Sequence, residues 1–128
     1  MTANSRSLES GIAQDTIVPE VELSDLDADH RLLDLPGTSL VIFTSPGCAS
    51  CRWAREHLPG TGLPVDRLCW IDAGNNGGLV QRYEVFHLPA LFVVRNGNFH
   101  GALHSSLRRD DLIQALDRAL ARPAEELP

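Results

Sequence analysis

The stretch Ser45-Pro46-Gly47-Cys48-Ala49-Ser50-Cys51-Arg52 stands directly behind the apolar run Leu40-Val41-Ile42-Phe43. Two thiols three residues apart, at the point where a strand pattern gives way to a helix pattern, are arranged for reversible disulfide chemistry. The spacing lets the two sulfurs meet. It also puts the first sulfur at the positive end of a helix dipole, where a thiolate is stabilised.

Outward from this motif the chain alternates strand and helix. Val21 to Leu23 is expected as a short strand, followed by Ser24 as N-cap of a helix carrying Leu26, Leu32 and Leu33, which Pro36-Gly37 ends. Ser39 to Thr44 is continuously apolar and β-branched, the mark of a strand buried on both faces. The helix after the motif is expected over Cys48 to Leu58, closed by Pro59-Gly60. Cys51, Ala54 and Leu58 form its apolar face, while Arg52, Arg55 and Glu56 fall elsewhere. Cys51 therefore faces the core and Cys48 lies at the exposed tip.

Val65 to Ile71 reads as a third strand, and Asn75-Asn76-Gly77-Gly78 leads into a short helix ending near Tyr83. Pro89 to Arg95 is a fourth strand, joined through Asn96-Gly97, a strong hairpin signal, to a fifth over Asn98 to His104. A final helix from Arg108 to Ala121 shows Leu112, Leu116 and Leu120 on one face, with Pro123 as a stop. Residues 1–17 are polar and expected as a flexible arm, 18–122 as the folded domain and 123–128 as a tail.

Composition excludes several classes. At 128 residues and 43% hydrophobic, the chain has material for one core. Residues 1–34 carry eight acids against Arg6 and Arg31, so the whole net charge of −6 lies there. An acidic chain with no basic stripe is not expected to bind nucleic acid or an anionic membrane. All eleven basic side chains are arginine, which rules out a Schiff-base lysine. No run is long enough for a membrane span, and the N-terminus lacks the basic start and apolar stretch of a signal peptide, so the cytosol is the expected compartment. Three cysteines are too few for a secreted disulfide scaffold, and a reducing cytosol favours a catalytic or metal-binding CxxC.

A CxxC behind the first central strand, followed 38 residues later by a proline that opens a strand ahead of an Asn-Gly hairpin, resembles the thioredoxin fold family. The resemblance runs from Val21 to Ala121 and is carried by Cys48-Ala49-Ser50-Cys51, Ile71-Asp72, Tyr83-Glu84-Val85-Phe86-His87-Leu88-Pro89 and Asn96-Gly97. It implies an α/β fold with a mixed sheet of four or five strands between helices, and a cis Leu88-Pro89 bond against the disulfide. Such a bond costs only about 0.5–1 kcal/mol more than trans, and it leaves the Leu88 backbone free to pair with a substrate strand. It further implies a thiol-disulfide oxidoreductase reducing protein disulfides, with Cys48 as nucleophile and Cys51 as resolving thiol. Gly47, His87, Leu88 and Pro89 would meet the substrate. No cofactor or metal is implied. The partners expected are protein disulfides and an upstream thiol reductant such as a thioredoxin reductase, with the protein acting as a monomer.

The chain departs from the family pattern at informative places. Thr44 and Gly47 stand where thioredoxins carry two tryptophans, and Ala49-Ser50 replaces Gly-Pro, a dipeptide that influences redox poise. The family's buried aspartate falls at Ile42 and its lysine partner at Leu68. Both members of a buried ion pair have become apolar together, which leaves no unpaired charge in the core. The usual proton acceptor for the resolving thiol is then missing, and His87 or a water is the expected substitute. Cys69, on an apolar strand, is expected as buried filler. A zinc site with Cys48 and Cys51 would need it as third ligand, with no second CxxC or paired histidines to complete the set. The competing class is a noncatalytic thioredoxin-like adaptor or assembly chaperone, against which the retention of both cysteines argues.

Overall fold

A computed structural model describes residues 17–128. The expected arm, residues 1–17, lies outside the described residues apart from Ile17. Five strands, β1 (Glu20–Leu23), β2 (Thr38–Thr44), β3 (Arg67–Asp72), β4 (Ala90–Arg95) and β5 (Asn98–Leu103), form one sheet in the order β1-β3-β2-β4-β5. β3 runs parallel to both β1 and β2, whereas β4 is antiparallel to β2 and to β5. Four helices, α1 (Ala28–Asp34), α2 (Ala49–His57), α3 (Gly77–Arg82) and α4 (Arg109–Leu120), flank it. This is the mixed five-stranded α/β architecture of the thioredoxin fold.

Strand periodicity sorts the core into two layers. Leu40, Ile42, Leu68, Trp70, Leu91 and Val93 face α2 and α4, meeting Ala54, Leu58, Leu112 and Leu116. Val41, Phe43, Cys69, Ile71, Phe92 and Val94 face α1 and α3, meeting Ala28, Leu32, Leu79 and Tyr83. β2 is buried at every position because helices cover both faces, which explains its unbroken apolar run. Ile42 and Leu68 are both fully buried in the α2/α4 layer. The place of the family's ion pair is ordinary hydrophobic core, each such side chain contributing about 1.5–3 kcal/mol by its removal from water.

The first helix starts later than its sequence implies. Ser24 does not cap it; Asp27 holds the N-cap position, and its Oδ1 accepts hydrogen bonds from the Ser24 amide (2.8 Å) and hydroxyl (3.2 Å). The intervening turn is tied elsewhere: Asp25 accepts from the amides of Leu79 (2.9 Å) and Gly78 (3.3 Å) at the start of α3, while its own amide donates to Asn76 Oδ1 (2.8 Å). With that loop pinned to α3, Leu26 is thrown into solvent at 97% exposure and only Leu32 of the three leucines is buried. β3 likewise begins at Arg67 rather than Val65. Val65 is in a tight turn onto Leu63 O, and Asp66 is engaged with the Thr38 backbone. Gly37 follows α1 at φ +78°, where a Cβ would collide with the Asp66 carboxylate.

The C-terminal residues fold back onto the sheet. Glu125 forms an antiparallel bridge with Phe99, Leu127 packs against the α1/α3 core layer, and the Pro128 carbonyl accepts from Arg82 (3.1 Å). They partly cover the edge that β5 would otherwise present.

Candidate active site

α2 opens at Cys48, the N-cap residue, whose extended backbone (φ −102°, ψ 116°) turns its sulfur back over the first helical turn. Cys48 Sγ accepts a hydrogen bond from the Cys51 amide at 3.3 Å, the cap contact that Ser or Asp oxygen makes in other helices. It also lies 3.4 Å from Ser50 Oγ. Cys48 is half-buried and Cys51 is buried, and all three cysteines are free thiols.

Helix position splits the two thiols chemically. The Cys48 thiol is held below its ordinary value, first by the hydrogen bond from the Cys51 thiol, then by the Ser50 hydroxyl and the backbone amides of both residues. The Cys51 thiol is pushed up to about 11, first by burial and then by its bond to Cys48, against smaller opposing effects from the Ser45 backbone and Arg55. Iodoacetamide at neutral pH should therefore modify Cys48 well before Cys51. The midpoint of the Cys48 rate profile should lie below that of an ordinary thiol. Peptide mapping by mass spectrometry checks this, and equal labelling of both cysteines would contradict the split.

The second half of the site arrives from forty residues away. The loop before β4 contains a cis Leu88-Pro89 peptide bond, and the Leu88 carbonyl accepts a hydrogen bond from Cys48 Sγ at 3.8 Å. Sulfur bonds are long, so this is a contact of ordinary length. Gly47 is exposed, and a Cβ there would meet nothing within 4 Å, so no wall stands at the position of the missing tryptophan. Phe86, 88% exposed, projects from the same loop.

His87 is not joined to the thiols. It is exposed and lines a groove of about 520 Å³ with Arg82, Tyr83, Phe86, Phe99 and Glu125, a lining that includes neither cysteine. The expectation that His87 receives the proton of Cys51 therefore has no support in the geometry.

Cys51 instead lines a separate cavity of about 360 Å³ with Glu22, Thr44, Ser45, Pro46, Arg52, Arg55 and Asp72. Arg52 and Arg55 fall off the apolar face of α2 in the sequence pattern, yet Arg55, one helical turn beyond Cys51, shares this cavity with it. The i, i+4 spacing of Cys51 and Arg55 was the available signal. The contribution of Glu22 from β1 depends on strand order and had none, whereas Asp72, at the end of β3, belongs to the Ile71-Asp72 pair that carried the resemblance.

Cys69 is buried in the α1/α3 layer, whereas α2 lies over the opposite face of the sheet, so it cannot complete a metal set with Cys48 and Cys51. Its thiol is pushed up by burial. Among the described residues no group of three or more metal-ligating side chains converges, and no helix is long and apolar enough to cross a membrane.

The sheet order, the dithiol at the N-terminus of α2 and the cis-proline loop beside it define a thioredoxin-like domain, and this chain belongs to that class. No family model matches the chain. It is 32% identical over 101 residues to protein disulfide-isomerase A3 of Gallus gallus, covering 77% of this chain and 20% of that protein. It is 32% identical over 95 residues to thioredoxin domain-containing protein 2 of Rattus norvegicus, covering 68% of this chain and 17% of that protein. The chain thus spans about a fifth of the length of the relatives it matches.

Proposed function

We propose that the protein is a thiol-disulfide oxidoreductase that reduces protein disulfides. The observation that carries this reading is the opposed pair at the start of α2: a half-buried Cys48, whose sulfur caps the helix and meets the cis-proline loop, next to a buried Cys51. Cys48 thiolate attacks one sulfur of a substrate disulfide; the S–S bond breaks, the departing substrate thiolate takes a proton from water, and a Cys48–substrate disulfide remains. Cys51 loses its proton and attacks Cys48 Sγ. The second substrate thiol is released, leaving a Cys48–Cys51 disulfide. Two electrons have passed from the protein dithiol to the substrate.

An upstream thiol reductant, such as a thioredoxin reductase, would reopen the pair, in keeping with a cytosolic monomer. Gly47, His87, Leu88 and Pro89 would form the rim that receives the extended substrate. The open ground at Gly47 and the Leu88 backbone beside Cys48 support that placement. No observation of comparable weight favours a noncatalytic adaptor.

Equilibration of the Cys48/Cys51 pair with glutathione buffers tests the direction. A reduction potential near or below about −270 mV fits a reductase, whereas a value above about −200 mV assigns the protein to oxidation or isomerisation.

A further inference from the structure

Resolution of the mixed disulfide requires a Cys51 thiolate, yet Cys51 is buried and has lost the carboxylate that the family keeps beneath it. The cavity that Cys51 lines holds the compensating charge. Arg55 is fixed there by three separate contacts: Nη1 donates to Glu22 Oε1 at 2.6 Å, Nε donates to Thr44 Oγ1 at 3.1 Å, and Cζ lies 4.7 Å from the centroid of the Trp70 ring. Trp70 is itself anchored by its Nε1 donating to Glu20 Oε1 at 2.8 Å. Thr44, at a family tryptophan position, is small and polar enough to admit the guanidinium. The remaining charged side chains around the cavity hold hydrogen bonds of their own to neutral groups. Arg52 donates to the Pro46 carbonyl (2.7 Å), and the Asp72 oxygens accept from the Gly74 amide and the Asn75 side chain.

We propose that Arg55 is a positioning residue for the resolving step: its guanidinium, held at the Cys51 cavity by Glu22, Thr44 and Trp70, stabilises the Cys51 thiolate as it forms. The inference rests on the oxidoreductase reading above for its role in turnover, though not for its electrostatics. The cavity is open and lined by charged groups, so solvent water reaches it and carries the Cys51 proton away. The cation then offsets part of the penalty that burial places on the sulfur anion, an effect already felt in the resting dithiol. Glu22 has the opposite influence on the sulfur. It orients Arg55 and also neutralises part of its charge, so the two partners are expected to act with opposite signs.

The variants Arg55→Met and Glu22→Gln test this with 5,5′-dithiobis(2-nitrobenzoate), which releases one thionitrobenzoate as Cys48 attacks and a second as Cys51 resolves the adduct. Arg55 and Glu22 side chains are 36% and 61% exposed, which moderates the coupling. Arg55→Met should slow the second release about three- to tenfold at pH 7 and move its pH profile upward, leaving the first release within about twofold. Glu22→Gln, in which Thr44 and Trp70 still hold the guanidinium, should leave the second release as fast or faster. A slowing by Glu22→Gln equal to that of Arg55→Met would overturn the proposal by making the carboxylate the proton acceptor. So would an unchanged second phase in Arg55→Met.

A pH titration of Cys51 by NMR, with 13C-labelled cysteine Cβ, reads the same electrostatics without turnover. The Cys51 midpoint should rise in Arg55→Met, and an unmoved midpoint overturns the inference. Absence of any second release in the wild type, with a titration that shifts as expected, would instead defeat the oxidoreductase reading alone.

Discussion

Cys48→Ser should reduce the insulin-disulfide activity of the protein to the rate of dithiothreitol alone, while Cys51→Ser should perform one attack and stop. The serine hydroxyl at position 48 still caps α2, as Cys48 Sγ does by accepting from the Cys51 amide, so the variant keeps its helix start and loses only the nucleophile. In Cys51→Ser the attacking thiolate remains but nothing displaces it from substrate. The Cys48–substrate disulfide should accumulate as a covalent adduct, visible as added mass that reductant removes. Wild type and Cys48→Ser both running at the rate of dithiothreitol alone would end the catalytic reading and favour the adaptor.

Ile42→Asp should destabilise the fold by about 3–5 kcal/mol at pH 7, because it places a carboxylate with no partner in the α2/α4 core layer. Ile42 is fully buried, and Leu68, where the family keeps the lysine, cannot pair with it. Burial raises the folded-state value of such an aspartate above its unfolded one. The folded protein then binds more protons than the unfolded chain as pH falls through the interval between the two values, so the loss is greatest at neutral pH and shrinks in acid. Urea unfolding at pH 7 and pH 4.5 measures both size and sign. Adding Leu68→Lys should recover part of the loss at pH 7. A cost below about 1 kcal/mol would mean that water reaches position 42, contrary to its burial.

The same two positions show how far sequence reading reached. That Ile42 and Leu68 are apolar together was visible in the chain, because the CxxC and the proline fixed a frame against which each position had a counterpart. The sheet and its flanking helices were legible because strand and helix periodicities are local and strong, whereas the meeting of Cys48 with the Leu88-Pro89 loop was implied only by the family resemblance. The start of α1 was misplaced. Its boundary is set by Asp25 and Asn76, fifty-one residues apart in sequence, and no local capping rule contains such a partner.

Of the two acceptors expected for the Cys51 proton, His87 or a water, the geometry gives His87 no place beside the thiol. His87 has the right intrinsic chemistry and the right neighbour in Pro89, but the loop presents it to a different groove.

By itself, the sequence determined where the two thiols stand, because a pair at i and i+3 behind a buried strand opens the following helix, and a helix N-terminus differentiates them wherever it is placed. Only the tertiary structure decided what surrounds the second thiol. Strand order sets Glu22 and Asp72 beside a cavity on α2, and the absence of bulk at Thr44 lets Arg55 lie over Trp70 at the cavity that Cys51 lines. Electrostatic coupling falls off with distance through space and is indifferent to separation along the chain. Its partners therefore become known only when the sheet has assembled.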